Sequence, residues 1–186
     1  GTLNAEEAVS QASSTLPKAW RITFKPQAQI LHRGVRLESM FRELGDMGIY
    51  HAVAVTDGLP ELELLDPTAM YLSWVITLST SDSLASIQSV FMFVEDYAEL
   101  EIVPIELDNG EGEAATPKLG QILVKRGLLA EHEVDSIRQA QRPFGEVAVA
   151  SGKIRKEQLE AALAEQTIVR TTNTERETRQ ESATIR

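Results

Sequence analysis

The chain has 186 residues, of which 42% are hydrophobic and 25% charged, with a net charge of −10 at pH 7 and no cysteine. That composition reads as a soluble globular protein with room for one large domain or two small ones. It excludes disulfides, thiol catalysis and cysteine-ligated metal sites, fits a cytoplasmic setting, argues against a nucleic-acid partner, which needs a basic face, and leaves no apolar run long enough for membrane insertion.

The charge is unevenly spread. Residues 18–42 carry six Lys or Arg, whereas Glu43 to Pro117 holds fifteen acids and no base, so residues 1–117 total −12; residues 118–166 are almost neutral. A change of charge near residue 117 marks a domain boundary.

Residues 1–17 are expected to form a flexible leader, with Asn4 and Glu7 as a weak capping box. In "AWRITFK", Trp20, Ile22 and Phe24 alternate with Arg21, Thr23 and Lys25, which is the period of a half-buried strand. "RLESMFRELGDMG" puts Leu37, Met40, Phe41 and Leu44 on one helical face, ended by Gly45 or Gly48. "IYHAVAV" is a β-branched run closed by the turn "DGLP". "MYLSWVITLST" alternates Leu72, Trp74, Ile76 and Leu78 as a strand. Asp82 or Ser83 then caps a helix whose inner face holds Leu84, Ile87, Val90, Phe91 and Val94. "ELEIVPIEL" is the last strand, placed at an edge by Pro104.

The order strand, helix, strand, strand, helix, strand predicts an α+β fold for residues 18–106. Each strand has one apolar and one polar face, so both helices are expected on one side of the sheet, as in a ferredoxin-like βαββαβ sandwich. The other side, with Arg21, Thr23, Ser73 and Thr77, is left to solvent or a partner. "LDNGEGEAATP" (107–117) has two glycines, a proline and three acids and reads as a linker.

Beyond the linker the chain repeats itself. Gly120, Val124, Gly127, Val134 and Gln141 recur as Gly145, Val149, Gly152, Leu159 and Gln166, always 25 residues on. A constant offset is a tandem repeat. The first copy puts Leu119, Ile122 and Leu123 inward, then Val134, Ile137 and Ala140; the second puts Phe144, Val147 and Ala148 inward, then Leu159, Ala162 and Leu163. Gly127 and Gly152 cap the first helix of each copy. The two hairpins at 118–166 cannot bury enough surface alone and are expected to stack into a small all-α unit. Residues 167–186 lack apolar periodicity and are expected to be disordered.

No catalytic constellation is visible. His32, His51 and His132 lack metal-ligand spacing, and none lies mid-helix. No G-x-S-x-G, P-loop, H-E-x-x-H or G-x-G-x-x-G is present, and "DNGEGE" lacks the ligand spacing of a calcium loop. The reading is a non-catalytic chain with no cofactor and no metal. The acidic stretch is either a solubilising surface or a docking face for a basic partner. For the second role Glu95, Asp96 and Glu99 surround Tyr97, an aromatic contact centre among carboxylates.

Three strings carry a family resemblance: R-I-x-F-x-P from Arg21, L-D-P-x-x-x-Y-L-x-W from Leu65, and F-x-F-V-E-D from Phe91. With them the chain resembles the region after the phosphotransfer domain of CheA-type chemotaxis histidine kinases, and "KLGQILVKRGLL" resembles the L-G-E-I-L-V-x-x-G helical repeats found in some of them. The resemblance implies a ferredoxin-like domain that recruits a response-regulator receiver domain for phosphotransfer in two-component signalling. It implies the middle of a kinase, without the phospho-accepting, dimerisation or ATP-binding parts, and a monomeric piece. The repeat also resembles the N-terminal domains of secretion and pilus ATPases, some of which bind cyclic di-GMP. That resemblance implies a nucleotide site involving Lys118, Gly120 and Gly145, although Lys118 and Pro143 stand where the motif has arginines, and neither supplies a bidentate fork.

Overall fold

A computed structural model describes residues 16–107, 117–138 and 143–184. Nearly all of the expected leader and of the linker lies outside the described residues. The elements are β1 (Lys18–Pro26), α1 (Leu37–Met47), β2 (Gly48–Val55), β3 (Ser73–Thr80), α2 (Leu84–Phe91), β4 (Ala98–Ile105), α3 (Leu119–Lys125), α4 (Glu131–Arg138), α5 (Phe144–Ala150) and α6 (Lys156–Thr184).

The four strands make one antiparallel sheet in the order β2-β3-β1-β4. Alternation works as the sequence pattern requires. Trp20, Ile22 and Phe24 of β1 and Ile76 and Leu78 of β3 share one face, where Met40 and Leu44 of α1 and Ile87, Val90 and Phe91 of α2 cover them. The fold is thus mixed α+β, with α1 and α2 on one side of the sheet. Phe24 stacks on Trp74 at 5.9 Å and meets Phe91 in a tilted contact at 5.6 Å, anchoring the centre of this core. Ser83, not Asp82, caps α2: its hydroxyl accepts the Ser86 backbone N–H. Pro104 lies on β4, an edge strand, where its missing N–H can be tolerated.

Of the two glycines that could end α1, Gly48 is the one that does. It passes directly into β2, and a Cβ there would stand 2.1 Å from the Ser79 carbonyl oxygen. Only a residue without a side chain lets β2 start so close to β3.

The repeat folds as two helical hairpins, α3–α4 and α5–α6, around Ile122, Leu123, Val134, Ile137, Ala148 and Ala162. Gly127 and Gly152 follow α3 and α5 with φ of 68° and 69°, the left-handed conformation that terminates a helix most easily in glycine. Leu163, expected inward, is 43% exposed; Ala161, two residues earlier, is buried instead, together with Ala162.

Two expectations are overturned by α6. Residues 167–184 are not disordered but continue this helix, which runs for 29 residues. Much of the sheet face expected to be open is covered by it: Thr77 and Ser79 are buried and Arg21 is largely covered, while Thr23 and Ser73 stay half-buried. The buried positions of α6 are Ala161, Ala162, Glu165, Ile168, Val169, Thr172 and Asn173. They recur every three to four residues, but apart from Ile168 and Val169 they are small or polar, so hydropathy alone does not disclose the stripe. Their partners do: the Arg21 Nε and Nη2 donate to the Glu165 carboxylate at 3.0 and 2.9 Å, and the Thr172 and Ser79 hydroxyls meet at 2.7 Å. The exposed threonines are tolerated in the helix because their hydroxyls bond back to carbonyls one turn earlier, as in Thr167 to Leu163, Thr171 to Thr167 and Thr174 to Arg170.

Candidate functional site

The segment joining α2 to β4 makes the most pronounced surface feature near the sequence-predicted docking residues. Phe91, at the end of α2, and Val94 are both held in the core, 1% and 3% exposed. The Val94 N–H donates to the Phe91 carbonyl at 2.9 Å, closing a tight turn between these anchors. The two residues in between have no room inside. Met92 is 58% exposed and Phe93 81%. A single 3-10 turn, Glu95–Tyr97, then leads into β4. Beside Met92 and Glu95 a groove of about 550 Å³ runs between α2 and the edge strand, with Gln88, Ser89, Leu100 and Ile102 in its walls.

The four predicted residues fall in this region with unequal status. Glu95, Asp96 and Glu99 are exposed. Tyr97 is half-buried, packs against the core, and lies under the Arg33 guanidinium at 4.7 Å from the ring centre. It is a bracket between β4 and the 3-10 turn at Ala28–Arg33 and offers little face to a partner. The exposed aromatic is Phe93, four residues earlier. The sequence holds a partial signal for it: Phe91 and Phe93 cannot share the inner face of one helix.

The acidic stretch is also less uniform in space than along the chain. Strand β1 pairs with β4 so that Lys25 sits opposite Glu99, and its ammonium reaches that carboxylate at 3.4 Å. Bases from residues 18–42 thus border acids from residues 95–101, which leaves Glu95 and Asp96 as the negative group beside Phe93.

The residues of the alternative nucleotide site are separated by role. Lys118 is exposed at the start of α3, and the Gln121 side chain accepts its backbone N–H. Gly120 and Gly145 are contact points between helices: a Cβ at Gly120 would come within 2.8 Å of Val134, and one at Gly145 within 3.0 Å of Leu159. Both glycines are therefore engaged in packing the hairpins. A groove of about 590 Å³ adjoins Gly120, lined also by Lys125 and Arg138; those cations are matched by Glu106 and Asp135.

His32, His51 and His132 are exposed and far apart in the chain; His51 lies 4.0 Å from Glu160 on α6. Among the described residues no group of His, Asp and Glu is arranged to hold a metal ion, and no helix is long and apolar enough to cross a membrane.

Against known proteins, the chain is similar to two chemotaxis proteins CheA. It is 33% identical over 86 residues to that of Rhizobium meliloti (strain 1021), covering 46% of this chain and 11% of the relative. It is 33% identical over 89 residues to that of Cereibacter sphaeroides, covering 48% and 13%. The aligned part is thus about half of this chain and little more than a tenth of those relatives. No protein-family model matches, and no solved structure does.

Proposed function

We propose that this chain is a non-catalytic part of a CheA-related chemotaxis signalling protein. In this reading residues 18–106 form a ferredoxin-like domain that recruits a response-regulator receiver domain, and residues 118–166 form a helical repeat attached to it. The observation that carries the proposal is the pair Met92 and Phe93, held out of the core by the Phe91–Val94 turn, next to the groove beside β4 and flanked by Glu95 and Asp96. An exposed aromatic with an apolar neighbour and a charged rim is the composition of an interface hot spot. The element order, the strand order β2-β3-β1-β4 and the similarity to two CheA proteins support the same assignment. Recruitment serves phosphotransfer by raising the local concentration of the receiver, to about the millimolar range for a short flexible tether.

Stopped-flow binding to each receiver domain encoded beside the protein tests this. Phe93→Ala is expected to cost about 2 kcal/mol, roughly thirty-fold in Kd and mostly in dissociation. Charge reversal at Glu95 and Asp96 should instead slow association and flatten its salt dependence. If every receiver binds more weakly than millimolar, or if Phe93→Ala binds as well as the parent, the docking role fails.

A further inference from the structure

On the face of the sheet opposite α1 and α2, a cleft of about 410 Å³ opens between the strands and the helical repeat. Its floor is β1, β3 and β4. Its walls are the residues just after α3 and the start of α6. Four cations, Arg21, Lys25, Arg126 and Arg155, and two acids, Glu101 and Glu157, line it; of the cations, Lys25 is already paired with Glu99. Apolar surface from Val75, Val103 and Leu128 and the hydroxyls of Thr23 and Ser73 also contribute to the lining.

The charges at its inner end do not balance. Glu165, 4% exposed, gives both carboxylate oxygens to Arg21. Arg126 stands close enough for the charges of both Glu165 and Arg21 to act on it, and its burial weakens its hold on the proton. One carboxylate therefore serves two guanidiniums. Among the described residues the buried Arg126 Nη1 has no hydrogen-bond partner. A buried guanidinium donor left unpaired costs more than an unpaired neutral donor, and an oxyanion is the group that would satisfy it. Arg155 lies at the mouth, half-exposed and paired with Asp57.

We infer that this cleft is a binding site for a small anionic molecule, one with a phosphate or carboxylate head that pairs with Arg126 and a body lying on Val75, Val103 and Leu128. A volume of this size is within the range of small-ligand sites, and convergent charged groups beside apolar surface fix a ligand's orientation in such sites. The guanidinium recognises either kind of head, so phosphate and citrate serve as separate probes of the two sources. The cleft shares no residue with the Phe93 surface, and its test is independent of the docking proposal.

The test uses the whole chain at constant ionic strength set with sodium chloride. Inorganic phosphate and citrate are titrated while thermal unfolding is followed, and the phosphate arm is repeated by phosphorus NMR line broadening. The expected result is a saturable rise in Tm with at least one anion, absent with chloride. Arg126→Gln should weaken that binding at least tenfold. Glu157→Gln removes an acid from the lining and should tighten it, a gain that loss of folding cannot imitate. A Tm that responds equally to chloride, binding unchanged in Arg126→Gln, or no tightening in Glu157→Gln would overturn the inference.

Discussion

Replacing Glu165 by Ala removes the carboxylate that ties α6 to the sheet. The pair it makes with Arg21 is bidentate, at 2.9 and 3.0 Å, and the two side chains are 5% and 22% exposed. Removing one partner of such a pair leaves an uncompensated charge out of water, which costs about 3–5 kcal/mol. Here two guanidiniums, Arg21 and Arg126, would be left facing each other, which places the loss toward the upper part of that range. Alanine is the better helix former, so local propensity acts slightly the other way, by at most a few tenths of a kcal/mol. Set against a typical total stability of about 5–15 kcal/mol, the effect is large. Arg21→Ala should cost less, because Glu165 keeps Arg126 nearby. Urea unfolding of the three proteins measures the difference, and amide exchange at Ile168–Asn173 shows whether α6 leaves the sheet first. By contrast Lys25–Glu99, with side chains 58% and 83% exposed, belongs to the class of pairs that contribute about 0–1 kcal/mol. If Glu165→Ala loses no more than that, or if Arg21→Ala loses more than Glu165→Ala, the account of a carboxylate shared between two half-buried cations is refuted.

Gly48→Ala forces a methyl group into the Ser79 carbonyl. Because backbone must yield, the loss is expected at or above the top of the ~1–3 kcal/mol range for overpacking, read by thermal unfolding; a neutral result would show that β2 can start further from β3. The Glu133 carboxylate is held below its usual 4.5 by the Ala130 backbone N–H and by Lys153. Its contribution is present above pH 4.5 and is lost as pH falls through the lowered value, so the Tm difference between the parent and Glu133→Gln should be largest above pH 4.5 and shrink below it. Titration with cyclic di-GMP should give no heat and no change in Tm, since Gly120 and Gly145 are committed to Val134 and Leu159; a micromolar Kd abolished by Lys118→Ala would establish the nucleotide reading instead.

Much of the architecture is legible locally. Trp20, Ile22 and Phe24 can share a face in only one kind of element, and the inward positions of α1 and α2 follow the helical period, except that Leu84, expected inward, stands in the first turn of α2 and is 38% exposed. Gly127 and Gly152 mark helix ends because the left-handed backbone they adopt is strained in other residues. The 25-residue offset exposes the repeat without any knowledge of packing. Each of these signals lies within a few residues of the feature it specifies or, for the repeat, in the chain's likeness to itself.

The remaining features depend on partners remote in sequence. Polar residues can be buried when matching groups receive them, and hydropathy along α6 carries no trace of that match. Arg21 and Glu165 are 144 residues apart, and Ser79 and Thr172 are 93 apart. Only the folded sheet turns Glu165, Thr172 and Asn173 into an inward stripe and converts an expected disordered tail into a helix. The same holds on the other side of the molecule. Phe93 is as apolar as Phe91, but the core slot after Phe91 is taken by Val94 and the turn between them closes. Which of the two rings goes inside is decided by the space that Phe24 and the neighbouring core residues leave.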